Sequence, residues 1–332
     1  MLRTAVIGVG HLGRQHARIH ATLAAEGRTK FVSVCDLNPE TAKSIASERQ
    51  TEWTADWRSL IGKVDAVSLA VPTESHCEIA CGLLVAGIHV LVEKPISRTI
   101  EEADRMMAAA KEGGAMLQVG HLERFNPALI ALKPHVRHPV YFEIHRVGEF
   151  TARSLDIDVV LDLMIHDLDI VQWLVGAEVE VTSLQAVGIP ILTNKIDAAN
   201  ARLEFATGAV ANITASRVGT ERIRKMRFFQ PRDYIAVDYT TKRASVSSLA
   251  PPAADGAWPG VHVRNLDVLD IEPLRSEILA FIEAADAGRP SPVSAAEGKQ
   301  ALLLALRVLE RIHEHTAGTQ VEAVKAHPGG RS

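Results

Sequence analysis

An acidic side chain and a histidine are spaced along one predicted helix so that they could act on a hydroxyl group. The apolar pattern predicts this helix at 159–174, with Asp162 and His166 four positions apart within it. Side chains at that spacing lie one turn apart on one face, and Asp169 follows His166 by three positions. An imidazole oriented by a carboxylate is suited to act as a general base. The alternative is an ordinary solvated helix face.

A glycine-rich turn near the start of the chain predicts a phosphate-binding site. Gly8, Gly10 and Gly13 have the spacing G-x-G-x-x-G, between an apolar strand at 4–7 and a helix at 14–25. In this context the first glycine permits a tight turn, the second lets backbone approach a pyrophosphate, and the third lets helix and strand pack closely. The alternative is a glycine loop that binds nothing.

An acidic residue follows the next predicted strand and indicates which dinucleotide the turn would hold. The strand at 31–35 ends at Asp36, and the following residue is Leu37 rather than an arginine. A carboxylate about 20 residues beyond the glycines can accept hydrogen bonds from both ribose hydroxyls. It would also repel a 2′-phosphate, so we expect NAD rather than NADP.

A lysine stands at the end of another predicted strand. Glu93, Lys94 and Pro95 follow or end the strand at 89–93, and a doubly wound sheet binds its ligands at the carboxyl ends of its strands. A lysine beside a nicotinamide ring there could hydrogen-bond a substrate hydroxyl and share its proton. The alternative is a surface lysine paired with Glu93.

The elements that position these residues alternate between strand and helix in the first part of the chain. We expect further strands at 64–71 and 116–120, and further helices at 39–49, 73–86 and 99–112. Short connections between alternating strands and helices are typical of a parallel, doubly wound sheet. The sequence therefore predicts an α/β fold with a Rossmann domain at 1–122.

The pattern changes after residue 141, where strands follow one another without crossover helices. The expected strands are 179–187, 198–205, 209–216, 224–229, 234–239 and 244–248, followed by a loop at 250–259 and helices at 273–287 and 295–315. We therefore expect a second α/β domain at 123–332, with a large, open-faced, mainly antiparallel sheet and C-terminal helices packed back on the body. Apolar strands such as 209–214 would be poorly hidden in a monomer, which predicts a homodimer or homotetramer formed through this sheet.

Composition excludes several classes of protein. The 332 residues carry a net charge of −4, which provides no basic field for nucleic acid. No apolar stretch is long enough to cross a membrane and the N-terminus does not read as a signal peptide, so we expect a cytoplasmic protein without a membrane partner. Cys35, Cys77 and Cys81 form no metal-binding or CxxC spacing, so we expect reduced thiols, no disulfide and no metal.

Five cationic side chains lie within eleven residues on and around the predicted strands of the second domain. They are Arg217, Arg222, Arg224, Lys225 and Arg227. Guanidinium groups match phosphate oxygens in a bidentate manner, so this cluster could hold a diphosphate. The alternative is an exposed strand edge protected by charge.

The glycine turn, Glu93-Lys94-Pro95 and the Asp162/His166 pair, in this order and at these distances, resemble the Gfo/Idh/MocA family of sugar and inositol oxidoreductases. The resemblance covers essentially the whole chain. It implies that NAD is the cofactor and that Lys94, Asp162 and His166 are catalytic. One departure is Met164, where many members have glycine; this affects the shape of the pocket rather than its chemistry.

Within the family, the segments 120–127 and 164–169 most resemble members that oxidise the C3 hydroxyl of UDP-N-acetylglucosamine to a 3-keto sugar, for the 3-amino sugar of lipid A. On this resemblance we expect the small-molecule substrate to contact His121, Arg124, Asn126, Asp169, Arg217 and Arg224. We expect the cofactor to contact Gly8, Gly10, His11, Leu12, Gly13, Asp36, Pro72, Thr73, His76, Glu93 and Lys94. The alternatives are an inositol or free-sugar dehydrogenase of the same family, and a non-catalytic protein that senses NAD or a nucleotide sugar.

Overall fold

The computed structural model describes residues 1–149, 157–252 and 259–319. They divide into two compact units. The first comprises Met1–Phe125 and Ile271–Leu302, and the second comprises the described residues of Asn126–Asp270 and Leu303–Ser332.

A six-stranded sheet forms the centre of the first unit, with the strand order β3-β2-β1-β4-β5-β6 and every pair parallel. The order reverses between β1 and β4, which is where an open α/β sheet binds its ligand. This sheet confirms the expected Rossmann fold. Its strands are β1 (Arg3–Ile7), β2 (Lys30–Cys35), β3 (Glu52–Thr54), β4 (Ala66–Leu69), β5 (His89–Glu93) and β6 (Leu117–Gly120), and its helices include α1 (His11–Ala25), α2 (Pro39–Arg49), α3 (His76–Val85) and α4 (Ile100–Gly113).

An eight-stranded sheet forms the second unit, with the strand order β14-β13-β12-β11-β7-β10-β9-β8. Every pair is antiparallel except β7 with β10, so the expectation of a mainly antiparallel sheet is confirmed. The strands are β7 (Tyr141–Glu149), β8 (Val181–Ile189), β9 (Ala198–Phe205), β10 (Val210–Gly219), β11 (Ile223–Gln230), β12 (Asp233–Asp238), β13 (Arg243–Pro252) and β14 (Pro259–Asn265). The helices of this unit include α5 (Pro127–Leu132) and α6 (Ile165–Val175).

The first unit also contains chain from near the C-terminus. Helix α7 (Pro273–Asp286) and the start of α8 (Ala295–Thr319) belong to it. Ile278 and Phe281 of α7 are buried in one apolar cluster with Ile19 of α1 and Leu91 of β5. The compact units are therefore discontinuous in sequence, because burial of this apolar face returns the chain to the Rossmann sheet, whereas the sequence predicts one boundary, at residue 122.

Two local expectations in the second unit differ from the structure. The single helix expected at 159–174 is a π-helical turn at Val160–Met164 followed by α6. The loop expected at 250–259 is shorter, because β13 extends to Pro252 and β14 begins at Pro259; its residues 253–258 lie outside the described part of the chain.

The apolar strand at 209–214 does not supply the exposed surface that we expected of it. Ala209, Ala211 and Ile213 are each at most 1% exposed. Because side chains alternate along a strand, these residues point to the core side of β10. They provide no argument for an oligomer.

Some classes of feature are absent from the residues that the structure describes. None of their helices is long and apolar enough to cross a membrane. Within the same residues, no group of three or more histidine, cysteine, aspartate or glutamate side chains could hold a metal ion. Cys35, Cys77 and Cys81 are free thiols.

Candidate active site

The three glycines after β1 differ in the space around them. Gly8 has a φ of +79°, and a Cβ there would lie 2.6 Å from the carbonyl oxygen of Ala70. A Cβ on Gly13 would lie 1.7 Å from the carbonyl oxygen of Gly8, whereas one on Gly10 would meet no atom within 4 Å. The open position is therefore the one where a pyrophosphate would approach the backbone.

The start of α1 has the electrostatic character of an anion site. No acidic residue lies in its first turn, and no side chain caps its N-terminus. The exposed N–H groups of this turn and the helix dipole both favour a negatively charged ligand. His11 and Leu12 are exposed in this turn. The turn thus fits the pyrophosphate of a dinucleotide.

Asp36 is brought beside this turn. The N–H of Val9 donates to its Oδ2 at 2.8 Å, and the N–H of Asn38 donates to its Oδ1 at 2.9 Å. The N–H of Gly8 donates to the carbonyl oxygen of Cys35 at 2.8 Å, which ties the turn to the end of β2. Each carboxylate oxygen can accept more than one hydrogen bond, so the fixed carboxylate can also accept from ribose hydroxyls.

His76 joins two backbone segments at the carboxyl ends of β4 and β5. Its side chain is buried, with Nε2 3.0 Å from the carbonyl oxygen of Val71 and Nδ1 3.1 Å from that of Pro95. Burial lowers the pKa of His76 despite these contacts, which act in the opposite direction. Both ring nitrogens face backbone, so His76 supports the two segments, and its contact with the cofactor stays a prediction. Pro72 and Thr73 lie in the segment between β4 and His76.

The end of β5 carries Glu93 and Lys94, and the Lys94–Pro95 peptide bond is cis. His16 Nε2 lies 2.9 Å from Glu93 Oε1, and the backbone N–H of Lys94 donates to Glu93 Oε2 at 3.3 Å. Burial raises the pKa of Glu93, but the His16 hydrogen bond and nearby positive charge outweigh it and hold the pKa below its usual value. Glu93 is thus an ionised group that fixes the turn from which Lys94 extends.

Gly120, at the end of β6, leaves room for this arrangement. It pairs with Glu93 across the sheet, and a Cβ on Gly120 would lie 3.3 Å from both the Cα and the Oε2 of Glu93. A side chain here would displace the carboxylate. The space that the Glu93 carboxylate occupies therefore explains why a glycine precedes His121.

Three residues expected to contact substrate lie after β6. His121 is buried, and Arg124 Nη1 donates to Glu297 Oε1 at 2.6 Å. Asn126 caps α5, because its Oδ1 accepts from the N–H of Ala128, while its Nδ2 donates to the carbonyl oxygen of Tyr239 at 3.3 Å. These contacts give Arg124 and Asn126 structural roles that their motif did not indicate.

Asp162 and His166 lie at the junction of the π-helical turn and α6. The N–H of Asp162 bonds to the carbonyl oxygen of Asp158 at 3.0 Å. Asp162 and His166 are both half-buried, whereas Met164 between them is completely buried. Single π-helical turns frequently occur at functional sites. The substitution of methionine for the glycine of many family members is therefore accommodated in the core.

A buried ion pair next to His166 was not anticipated from the sequence. Arg146 Nε and Nη2 donate to the two carboxylate oxygens of Asp167 at 2.7 and 2.8 Å, and both side chains are almost inaccessible. The Arg146 guanidinium also lies over the Tyr239 ring, 5.3 Å from its centroid. The sequence does contain a signal for this pair, because Arg146 and Asp167 each lie on the apolar side of their own strand or helix. Asp169 is also buried.

The five cations of the second unit do not form one cluster. Lys225 and Arg227 are exposed on one face of β11, where Arg227 pairs with Glu143 at 3.0 Å. Arg224 points to the opposite face and stands beside Arg146 in register. Alternation along the strand separates these side chains, so the five cations do not act as one group, and a substrate contact by Arg217 and Arg224 stays a prediction.

Arg217 shares the core-side face with Arg224, but it is tied to its own unit. Its guanidinium lies 3.6 Å from Asp197 Oδ1 and donates to the carbonyl oxygen of Ile157. Asp197 in turn accepts from backbone N–H groups, including that of Leu192 at 2.7 Å. Arg224 is half-buried, whereas Arg217 is buried.

Comparison with known proteins gives matches along most of the chain. Residues 2–121 match the model of the Gfo/Idh/MocA oxidoreductase family, NAD-binding Rossmann fold, and residues 131–230 match the Gfo/Idh/MocA C-terminal domain. The chain is 38% identical to UDP-N-acetylglucosamine 3-dehydrogenase of Acidithiobacillus ferrooxidans over 308 residues, which cover 92% of this chain and 96% of that protein.

Two further comparisons concern structure and a different substrate class. The solved structure of the same A. ferrooxidans enzyme, GnnA, superposes with a TM-score of 0.87 at 36% identity, covering 94% of this chain and 98% of that one. The NAD-dependent scyllo-inositol 2-dehydrogenase of Bacillus subtilis is 32% identical over 237 residues, which are 65% of this chain and 67% of that protein.

Proposed function

Because the chain belongs to the Gfo/Idh/MocA oxidoreductase family and contains its NAD-binding domain, we propose that it oxidises the C3 hydroxyl of UDP-N-acetylglucosamine to a 3-keto sugar. The observation that carries this proposal is the 38% identity to a UDP-N-acetylglucosamine 3-dehydrogenase along 96% of that protein. The similarity extends through both units, so it includes the part of the chain that would select the sugar.

The residues of the first unit fit NAD. The open space at Gly10 and the first turn of α1 suit a pyrophosphate, and the backbone-fixed Asp36 suits a ribose diol. When bound, NAD supplies the acceptor for the hydride that leaves the sugar carbon. Asp36 also disfavours a 2′-phosphate through charge repulsion, which supports NAD over NADP.

Three side chains are assigned to the proton that leaves the hydroxyl. His166 removes it as general base, Asp162 orients the imidazole, and Lys94 hydrogen-bonds the hydroxyl oxygen. His166 and Asp162 are held by the junction of the π-helical turn with α6, and Lys94 is held by the Glu93 carboxylate. Alignment of the reacting carbon within about 3.5 Å of its hydride acceptor is the main task of such a site.

The direct test is NADH formation, followed by near-ultraviolet absorbance, with NAD and UDP-N-acetylglucosamine as substrates. Hydroxylamine is added to trap the ketone, because oxidation of an alcohol by NAD at neutral pH is unfavourable without removal of product. NADH growth and a sugar oxime of the expected mass would support the proposal. Absence of turnover, with NADH binding intact, would reject the nucleotide-sugar substrate.

The second candidate is an inositol or free-sugar dehydrogenase, which the similarity to scyllo-inositol 2-dehydrogenase favours. Such a substrate has no diphosphate. Arg224→Gln should then leave KM unchanged, whereas a nucleotide-sugar enzyme should show a KM raised about tenfold by loss of one charge-assisted contact. Arg227→Gln, on the opposite face of β11, is the matched control. Tight NADH binding without turnover of any sugar would favour the non-catalytic sensing protein.

We also propose that the chain forms a homodimer or homotetramer through the open face of the eight-stranded sheet. Phe229, Leu249 and Val261 line one shallow pocket on that face and are 42 to 67% exposed, and large exposed apolar side chains mark interaction surfaces when they lie together. Light scattering at micromolar concentration should give a multiple of the chain mass. A monomeric mass would contradict the proposal.

A further inference from the structure

A glutamic acid is completely enclosed in the first unit without a hydrogen-bond partner among the described residues. Glu277 of α7 is 0% exposed, and both its carboxyl oxygens lack such a partner. The next residue, Ile278, is in the apolar cluster formed with α1 and β5. Burial of an ionised carboxylate without a partner is strongly unfavourable. The position of Glu277 therefore requires an explanation that apolar packing does not provide.

Helix α7 packs against β5, the strand that ends at Glu93, and the charge of Glu93 acts on Glu277. Two carboxylates that share a water-poor site cannot both be ionised without a large cost. Glu93 accepts hydrogen bonds from His16 at 2.9 Å and from the N–H of Lys94 at 3.3 Å. Glu277 has no comparable donor among the described residues. The negative charge is thus favoured on Glu93 and the proton on Glu277.

The other titratable groups of the elements packed against α7 agree with this distribution. Helix α1 contributes His11, Arg14, His16, Arg18 and His20, β5 contributes His89 and Glu93, and the turn at Leu122–Phe125 contributes Glu123 and Arg124. Burial lowers the pKa of His20 to about 3, and its Nε2 lies 2.9 Å from Ser68 Oγ. Arg124 pairs with Glu297. Burial and the charge of Glu93 together raise the pKa of Glu277 well above its usual value.

We propose that Glu277 is a positioning residue for Lys94: as a neutral acid it allows Glu93 to stay ionised and hold the Lys94 turn, and its ionisation disturbs that turn. The inference rests on the proposed function in one respect, which is the role given to Lys94. Nothing in the motifs at residues 8–13, 93–95 or 162–166 indicates Glu277, because α7 is far away in sequence. Its effect on chemistry would act through Glu93 alone.

The test compares wild type with Glu277→Gln, which has the shape of the neutral acid but cannot ionise. NADH affinity and kcat/KM are measured from neutral to alkaline pH. At neutral pH the kcat/KM values of the two proteins should agree within about threefold. Above the pH at which Glu277 ionises, kcat/KM of the wild type alone should fall about tenfold per pH unit, as expected for the loss of one essential proton. Glu283→Gln, an exposed acid on the same helix that pairs with Arg28, should follow wild type.

Identical pH profiles for wild type and Glu277→Gln would overturn the proposal. The NADH measurement separates this failure from failure of the proposed function, because it needs no sugar. Infrared spectroscopy of the wild type provides a test that does not depend on folding of a variant. A protonated carboxyl band that persists at neutral pH and disappears only at alkaline pH supports the proposal, and its absence at neutral pH contradicts it.

Discussion

Arg146 and Asp167 form a two-point ion pair inside the second unit, with Nε and Nη2 of the arginine 2.7 and 2.8 Å from the two carboxylate oxygens. Asp167 follows the proposed base, His166, directly in sequence. The pair ties the start of α6 to β7, so it fixes the helix that presents the base. Removal of either side chain would break this two-point pair in the core, where such a loss is costly.

Asp167→Asn should therefore destabilise the protein by about 3–5 kcal/mol, since it removes the carboxylate charge that binds the buried Arg146 guanidinium at two points. The free energy of unfolding in urea measures this loss. Glu143→Gln is the control, because Glu143 pairs with the exposed Arg227 and such pairs contribute about 0–1 kcal/mol. An equal loss of unfolding free energy in Asp167→Asn and Glu143→Gln would show that the buried pair stabilises the protein no more than the exposed pair does.

Two glycines of the same turn should respond differently to alanine. In Gly13→Ala the new Cβ would lie 1.7 Å from the carbonyl oxygen of Gly8, so we expect a loss of at least about 1–3 kcal/mol in stability. In Gly10→Ala the Cβ meets no protein atom within 4 Å. This variant should keep most of its stability but bind NADH at least tenfold more weakly, by roughly 1.4 kcal/mol. Thermal unfolding and NADH fluorescence measure the two effects, and unchanged NADH affinity in Gly10→Ala would argue against a pyrophosphate at this turn.

His20 should make the protein sensitive to acid. Burial lowers its pKa from 6.5 to about 3, so between these values the unfolded chain binds a proton that the folded chain does not. Its contribution to stability is present above pH 6.5 and is lost as pH falls towards 3, at roughly 1.4 kcal/mol per pH unit. His20→Gln, which can still hydrogen-bond Ser68, should flatten this dependence in urea unfolding across that range. A slope equal to that of wild type would mean that His20 titrates normally.

The sequence predicted the parts of the candidate site that depend on neighbouring residues. The roles of Gly8, Gly10 and Gly13 follow from one turn between a strand and a helix, and the surroundings of each glycine fit them. The fixed position of Asp36 likewise follows from its place at the end of β2. The local sequence pattern is therefore sufficient to predict a residue's role where a strand, a turn and a helix follow one another along the chain.

Contacts between distant segments could not be predicted in this way. The return of α7 to the Rossmann sheet, the pairing of Arg146 with Asp167 and the enclosure of Glu277 all depend on which apolar faces pack together. The separation of Arg224 from Lys225 was available in principle, because adjacent residues of a strand point to opposite faces. The expectation of a single cluster considers only the positions of the charges along the chain and not the face of the strand on which each side chain lies.

His166→Asn should reduce turnover by about 10²–10⁴, the range contributed by a positioned general base, and leave NADH affinity nearly unchanged. His145→Asn is a matched control, because His145 is exposed on β7. A single-turnover assay separates the chemical step from product release. Wild-type turnover in His166→Asn would remove His166 from the mechanism.

The most direct test of the central claim follows the hydrogen on C3 of the sugar. UDP-N-acetylglucosamine with deuterium at C3 is mixed with NAD, the protein and hydroxylamine, and the reduced cofactor is analysed by mass spectrometry. The proposed reaction predicts deuterium in the reduced cofactor and its absence from the sugar oxime. Reduced cofactor without deuterium would show that another position is oxidised, and no reduced cofactor at all, in a protein that binds NADH, would contradict the proposed substrate.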